Sequence, residues 1–242
     1  MYTIKRAIIM AAGCGNRMHP LTLTTPKPLV SVNGVRMIDS CIRALHENGI
    51  YEIYVVVGYQ KEKFKSLEEE YPGLRLIENP WYDICNNISS LYAARDHLED
   101  VIILDGDQVV YDPSILAPEF ERSGYNCVWT DEETNEWLLT VEDGIVTHCS
   151  RTGGSGGWQL YSVSRWTAED GRRLREHLEL EFAQKKNVHI YWDDVALFCH
   201  PDEYQLGIRP MAPSSIMELD SLEELAAVDK RYMTLLRGGI FQ

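Results

Sequence analysis

The sequence has no C-x-x-C pair and no cysteine–histidine spacing of the kind that holds a structural metal. Its six cysteines (Cys14, Cys41, Cys85, Cys127, Cys149 and Cys199) are scattered, several inside apolar runs, as buried free thiols are. That usage fits a reducing compartment, and a cytoplasmic location is expected. Long hydrophobic runs are missing too. Nothing approaches the roughly 20 apolar residues of a membrane span, and the first apolar run, Ala7 to Ala12, is too short for a signal peptide and leads into glycines. Positive charge is scarce: 23 Lys and Arg stand against 37 Asp and Glu, a formal net charge of −14 over 242 residues. Such a field opposes general polyanion binding, which argues against nucleic acid or an anionic membrane as partner. A site for a phosphorylated ligand must then be a local inversion of sign. Residues 1–43 contain one, where Lys5, Arg6, Arg17, Lys27, Arg36 and Arg43 stand with a single acid, Asp39.

Three short β-rich apolar runs, Arg6–Ala11, Ile53–Val57 and Val101–Leu104, read as buried parallel strands. Helical patterns lie between them. Met37–Asn48 places Ile38, Cys41, Ile42 and Leu45 on one stripe and stops at Gly49. Glu62–Tyr71 reads as a solvated helix, and Ser89–Leu98 as a helix that Asn86 or Asn87 could cap. Alternation of strand and helix with short loops implies right-handed crossovers and a doubly wound α/β sheet. Beyond residue 110 the pattern is mixed. Asn126–Thr130, Trp137–Val141, Ile145–His148 and Trp158–Val163 read as strands, Ala168–Phe182 as a helix and Ser215–Leu219 as a last strand. Ser221 and Glu224 then form a capping box. Arg151–Gly157 (RTGGSGG) reads as a mobile lid or a turn. One domain spanning 1–242 is expected, with a nucleotide-binding half at 1–110 and an acceptor half at 111–242. The last residues, LLRGGIFQ, could continue into a longer product.

Glycines straight after the first strand raise the question of a dinucleotide fold. G-x-G-x-x-G would need glycine at position 18, where Met18 stands, and no acid ends the second strand. No G-K-[ST] follows either. What remains is Gly13-Cys14-Gly15-Asn16-Arg17, a loop whose bare backbone can approach a phosphate chain. Pro26 and Pro28 stiffen the chain on both sides of Lys27, so that lysine can be aimed with little further ordering. Glycines alone would describe an ordinary turn. The whole run A-A-G-x-G-x-R-M-x-P-L-T followed by P-K-P-L describes phosphate binding.

That run resembles the signature of the nucleotidyltransferases that activate sugar phosphates and headgroups with NTP and release pyrophosphate. The resemblance implies a Rossmann-like αβα sandwich with a mostly parallel central sheet, and a divalent metal. It assigns Ala11, Gly13 and Gly15 to the nucleotide, and Arg17 and Lys27 to the triphosphate and the transferred phosphoryl group. In "VIILDGDQVVY", Asp105 and Asp107 stand just past a strand end, where ligands bind in an open α/β sheet. A buried unpaired carboxylate is very costly, and Mg²⁺ takes one or two carboxylates plus phosphate oxygens. Asp107 is therefore the first metal candidate, with Asp105 beside the nucleotide. The family places a second metal aspartate at a late strand end, which carries over to Asp220.

Over nearly the full length, "NPWYDICNNISSLYAARDHL", "TNEW", "IYWDD" and "MELDSLEEL" are similar to bacterial CTP:phosphocholine cytidylyltransferases and close relatives that use 2-aminoethylphosphonate. That similarity implies CTP as donor and places Asn86, Asn87 and Ser90 near the cytosine. In the acceptor half, Trp137, Tyr191 and Trp192 accompany Glu136, Asp194 and Glu218, and aromatic faces with carboxylates hold alkylammonium groups. Trp137, Tyr191, Asp194 and Glu218 are the acceptor candidates. Phosphocholine is the favoured acceptor, with 2-aminoethylphosphonate the alternative. A sugar-1-phosphate transferase and a CTP-binding module without transfer are the remaining alternatives.

Overall fold

The structure, a computed structural model, describes residues 1–238. Its centre is four parallel strands: β1 (Arg6–Ala11), β2 (Glu52–Val57), β3 (Leu74–Glu78) and β4 (Val101–Asp105). They lie in the order β4-β1-β2-β3. The alternation of side chains explains why these runs read as continuously apolar. Ala7, Ile9 and Ala11 of β1 enter one core layer with Ile53, Val55 and Val57, while Ile8 and Met10 enter the other with Tyr54 and Val56. Helix α1 (Met37–Glu47) covers the first face through Ile38, Cys41, Ile42 and Leu45. It stops at Asn48, with Gly49 beyond at φ 74°. The second face is covered by α2 (Ile88–Ala93) and α3 (Ala168–Leu178). The result is the expected αβα sandwich.

After β4 the chain makes β5 (Gln108–Val110), β6 (Gly124–Thr130), β7 (Leu138–Glu142), β8 (Ile145–Ser150) and β9 (Gly157–Trp166). β10 (Gly207–Pro210) and β11 (Ile216–Glu218) follow. β9 joins the parallel centre antiparallel to β4, and β7, β8 and β6 extend the sheet from there. β11 pairs with β5 outside the main sheet, Glu218 opposite Gln108. Helix α4 (Leu222–Val228) then starts at Ser221 with both halves of its capping box formed. The charged segment expected as one helix is two short pieces, Lys61–Phe64 and Ser66–Glu70, and the third helix continues as a wider turn through Gln184.

A third, smaller core fixes the site. Met18, Val30, Val32, Met37, Val109, Leu219, Leu222 and Leu225 pack together. Met18 is wholly buried, which stabilises the glycine loop's position by roughly 1.5–3 kcal/mol. Through this cluster the loop between β1 and α1, the turn after β4 and the end of β11 become one rigid corner. Cys41, Cys127 and Cys149 are buried and unpaired, and burial pushes the Cys41 thiol up to about 12. Among the described residues, no helix is long and apolar enough to cross a membrane.

Candidate active site

The loop after β1 is shaped by contacts within itself. Gly15 has φ +64°, and a Cβ there would stand 3.0 Å from Lys27 Cβ and 3.1 Å from Thr22 Cγ2. Thr22 Oγ1 and the Met18 N–H both donate to the Gly15 carbonyl, at 2.8 and 3.0 Å. Gly13 differs: nothing lies within 4 Å of the position its Cβ would take. Its missing side chain serves open space and not protein packing. That space is a cavity of about 350 Å³ lined by Met10, Ala11, Gly13, Gly15, Asn16, Arg17, Lys27, Pro28, Asp107 and Asp220. Residues predicted from two ends of the sequence thus meet here.

Charge in this cavity departs from the sequence reading. The basic cluster of residues 1–43 is dispersed, with Lys5 paired to Asp100, Arg6 to Glu52 and Arg36 to Asp39 and Glu70. Only Arg17 and Lys27 line the cavity, and both face acids. Lys27 Nζ donates to Asp107 Oδ2 at 2.6 Å and to Asp220 Oδ1 at 2.8 Å, and Arg17 Nη2 lies 2.9 Å from Asp220 Oδ1. The cradle is therefore a mixed ion cluster, because the two aspartates close on the lysine through the shared corner. Burial works against the Lys27 ammonium, yet the bonds from Asp107 and Asp220 outweigh it and raise the amine further. The other oxygen of Asp107, Oδ1, is buried and has no hydrogen-bond partner.

A second cavity of about 280 Å³ adjoins the first and shares Arg17 and Asp220 with it. Asn87, Asp105, Glu136, Trp137, Leu160, Ser162, Tyr191, Asp193 and Glu218 complete its lining. Five carboxylates thus face one guanidinium, with two aromatic rings, Trp137 and Tyr191, set edge to face at 5.8 Å and 86°. The crowding raises pKa values. Asp105 is pushed well up by burial and then by Asp107, Glu218 and Asp193. Glu218 lines the cavity and keeps solvent exposure, and its carboxyl is raised by partial desolvation and then by Asp107 and Asp220. Burial pushes the Asp193 carboxyl up to about 7, helped by Asp194 and opposed by the nearby Tyr125 hydroxyl.

Four predicted residues stand elsewhere than expected. Asp194 does not line the cavity. It is buried, accepts the Tyr191 N–H at 2.8 Å and pairs with Arg151 at 2.5 Å, and its neighbour Asp193 takes the lining position. The reason is local: two consecutive acids in a tight turn point apart, and the backbone of Tyr191 claims the second. Trp192 is 1% exposed and packs with Tyr125 and Trp166 in the core. Ser90 is buried under Asn79, whose Nδ2 donates to it at 2.9 Å. Asn86 Nδ2 donates to the His189 carbonyl, away from both cavities. Asn87 does line the second cavity, but its Oδ1 accepts the Trp192 N–H at 2.9 Å instead of capping α2. Asp193 and Ser162 were missed. The first D of "IYWDD" was the available signal for Asp193, and Ser162 carried none beyond its place in a strand.

Comparison with known proteins agrees with this geometry. Residues 7–185 match the family model of the MobA-like NTP transferase domain. The chain is 44% identical over 234 residues to the 2-aminoethylphosphonate cytidylyltransferase of Lancefieldella rimae, covering 96% of this chain and 94% of that one. It is 32% identical to the choline-phosphate cytidylyltransferase of Streptococcus pneumoniae, covering 93% and 97% of the two chains. The solved structure of the CTP:phosphocholine cytidylyltransferase of Streptococcus pneumoniae superposes with a TM-score of 0.87 at 33% identity, over 95% of this chain and 99% of that one. With its glycine loop, its cations and its strand-end carboxylates in one corner, the chain belongs to the MobA-like NTP transferase family and is a nucleotidyltransferase.

Proposed function

We propose that the protein transfers CMP from CTP to a small phosphonate bearing a primary ammonium, of the 2-aminoethylphosphonate kind, and releases pyrophosphate. The observation that carries this reading is the lining of the second cavity, with five carboxylates against two aromatic rings. A trimethylammonium cannot donate hydrogen bonds and is held by aromatic walls, whereas a primary ammonium has three N–H donors to place. Asp193 Oδ1, buried and without a partner, is an acceptor of the kind such a donor satisfies. The higher identity to the 2-aminoethylphosphonate enzyme supports the same choice over phosphocholine, which the sequence favoured. Trp137 and Tyr191 are what phosphocholine would use, and that acceptor is the second reading.

The first cavity holds the triphosphate in this scheme, with the amides of the Gly13–Arg17 loop against its oxygens. Lys27 and Arg17 turn from the aspartates to the phosphates and steady the charge that builds during transfer. A phosphonate oxygen of the acceptor attacks the α-phosphorus of CTP. The new P–O bond forms as the bond from the α-phosphorus to the bridging oxygen breaks, and pyrophosphate leaves with that electron pair. The attacking oxygen is already anionic, so no general base is required, and no histidine lines either cavity. Asp107 and Asp220 fit a hard divalent cation, and the unpartnered Asp107 Oδ1 is a free ligand atom for one. When bound, Mg²⁺ would neutralise the charge shared by the α-phosphate and the leaving pyrophosphate.

Pyrophosphate release, with CTP, Mg²⁺ and either 2-aminoethylphosphonate, phosphocholine or glucose-1-phosphate, tests the reading. Release with 2-aminoethylphosphonate as the best acceptor is expected. Release with glucose-1-phosphate alone, or CTP binding without release in all three, would overturn it.

A further inference from the structure

Arg151–Gly157, read from sequence as a lid or turn, is fastened to both walls of the acceptor cavity. On one side Thr134 and Gly154 exchange backbone hydrogen bonds in both directions, each 2.9 Å. Gly153, at φ +72°, approaches so closely that a Cβ would lie 1.8 Å from the Thr134 carbonyl oxygen. Thr134 also accepts the Glu136 N–H on its hydroxyl at 3.1 Å, so this fastening sets the turn that delivers Glu136 and Trp137. On the other side Arg151 Nη2 donates to Asp194 Oδ1, while Asp194 Oδ2 closes the turn that presents Tyr191 and Asp193. The Arg151 guanidinium sits 3.7 Å over the Phe198 ring and 5.8 Å from that of Trp137. Phe198 in turn packs edge-on against Trp137 at 5.5 Å.

We propose that Arg151 is a positioning residue for the acceptor, holding the Glu136–Trp137 wall and the Tyr191–Asp193 wall at a fixed separation. This rests on the acceptor reading above. Arg151 touches no substrate in this scheme; it acts through Asp194 and Phe198. A cation beside a pocket for an ammonium would be self-defeating if it faced the pocket. Here its charge is spent on the buried Asp194, so Asp193, Glu136 and Glu218 remain to meet the ligand. The planar fork also matters, because it pairs with Asp194 and stacks on Phe198 at once, which an ammonium does less well. A change in wall separation moves the Glu136 and Asp193 carboxylates off the ammonium, which weakens acceptor binding and leaves the transfer step itself little changed.

The test compares Arg151→Met, which keeps an apolar stem against Phe198, with Arg151→Lys, which keeps the charge. In steady-state pyrophosphate release, Arg151→Met should raise the acceptor KM by roughly tenfold or more. The CTP KM and kcat should stay within about threefold, with Arg151→Lys falling between. Amide hydrogen exchange, read without any substrate, should rise in Arg151→Met at both 131–137 and 188–194 and stay unchanged across the Gly13–Lys27 loop. Unchanged acceptor KM with unchanged exchange in both segments would overturn the proposal, as would a CTP KM that rises as much as the acceptor KM. If the unmutated enzyme turned over no ammonium acceptor, the acceptor reading would fall, and hydrogen exchange would still decide whether Arg151 braces the two walls.

Discussion

Lys27→Met removes a cation from between two carboxylates while preserving most of the buried volume. The Lys27 side chain is 9% exposed, and Asp107 and Asp220 are 25% and 28% exposed. Breaking a fully buried ion pair from one side leaves roughly 3–5 kcal/mol of uncompensated charge. Water reaches a quarter of each aspartate, so the effect here should be about 2–3 kcal/mol at neutral pH. For a chain of this size that is a fall in Tm of roughly 4–12 °C. Thermal unfolding in the presence of a chelator measures it directly. Added Mg²⁺ should recover more of the loss in the variant than it adds to the unmutated protein, since the ammonium no longer competes for the two carboxylates. A variant as stable as the parent at neutral pH, with no larger response to Mg²⁺, would refute the ion-cluster reasoning.

Asp107→Asn should lower kcat/KM by roughly 1000-fold or more with the fold intact by circular dichroism, and retention within about tenfold would count against its assignment. Gly15→Ala should destabilise by about 1–3 kcal/mol, because it forces a side chain into positive φ against Lys27 and Thr22. Gly13→Ala should leave Tm unchanged and raise only the CTP KM, since its Cβ meets open cavity; calorimetry and initial-rate kinetics separate the two. Asp193→Asn should trade acceptor affinity for stability. The folded carboxyl is raised to about 7, so the unmutated protein's stability from this group is full below its unfolded pKa and lost as pH rises through 7. The variant's advantage in Tm should therefore be near zero at pH 4 and greatest above pH 7, with an acceptor KM that is weaker than the parent's above pH 7 and converges on it toward pH 4; an advantage that shrank with rising pH would contradict the sign.

Much of the nucleotide half was legible because its signals are local. β1, β2 and β4 are short apolar runs, α1 carries one clean stripe, and Ser221 with Glu224 is a complete capping box. The edge strand β3 was missed because only Leu74 of its five residues is buried, so no apolar run marks it. Asp220 could be placed beside Asp107 only through the resemblance, since contact across more than a hundred residues leaves no periodicity in the sequence. The acceptor half was read less well. There the choice between Asp193 and Asp194, and between Tyr191 and Trp192, depends on which way one turn faces. Donation from Arg151 and the Tyr191 N–H to Asp194, and from the Trp192 N–H to Asn87, decides that, and Asn87 lies 105 residues from its donor. Arg151 itself was passed over because the glycines beside it read as mobility, whereas Gly153 allows a close and fixed approach to Thr134.

The central claim is that the acid-lined cavity selects N–H donors over methyl groups. The most direct measurement compares kcat/KM for 2-aminoethylphosphonate with that for its N,N,N-trimethyl analogue, so that the phosphonate and the chain length are constant. The account predicts a preference of at least roughly 100-fold for the primary ammonium, because the methylated ligand leaves buried acceptors such as Asp193 Oδ1 unpaired. Equal values, or a preference for the trimethyl compound, would contradict it and make Trp137 and Tyr191 the determinants of acceptor choice.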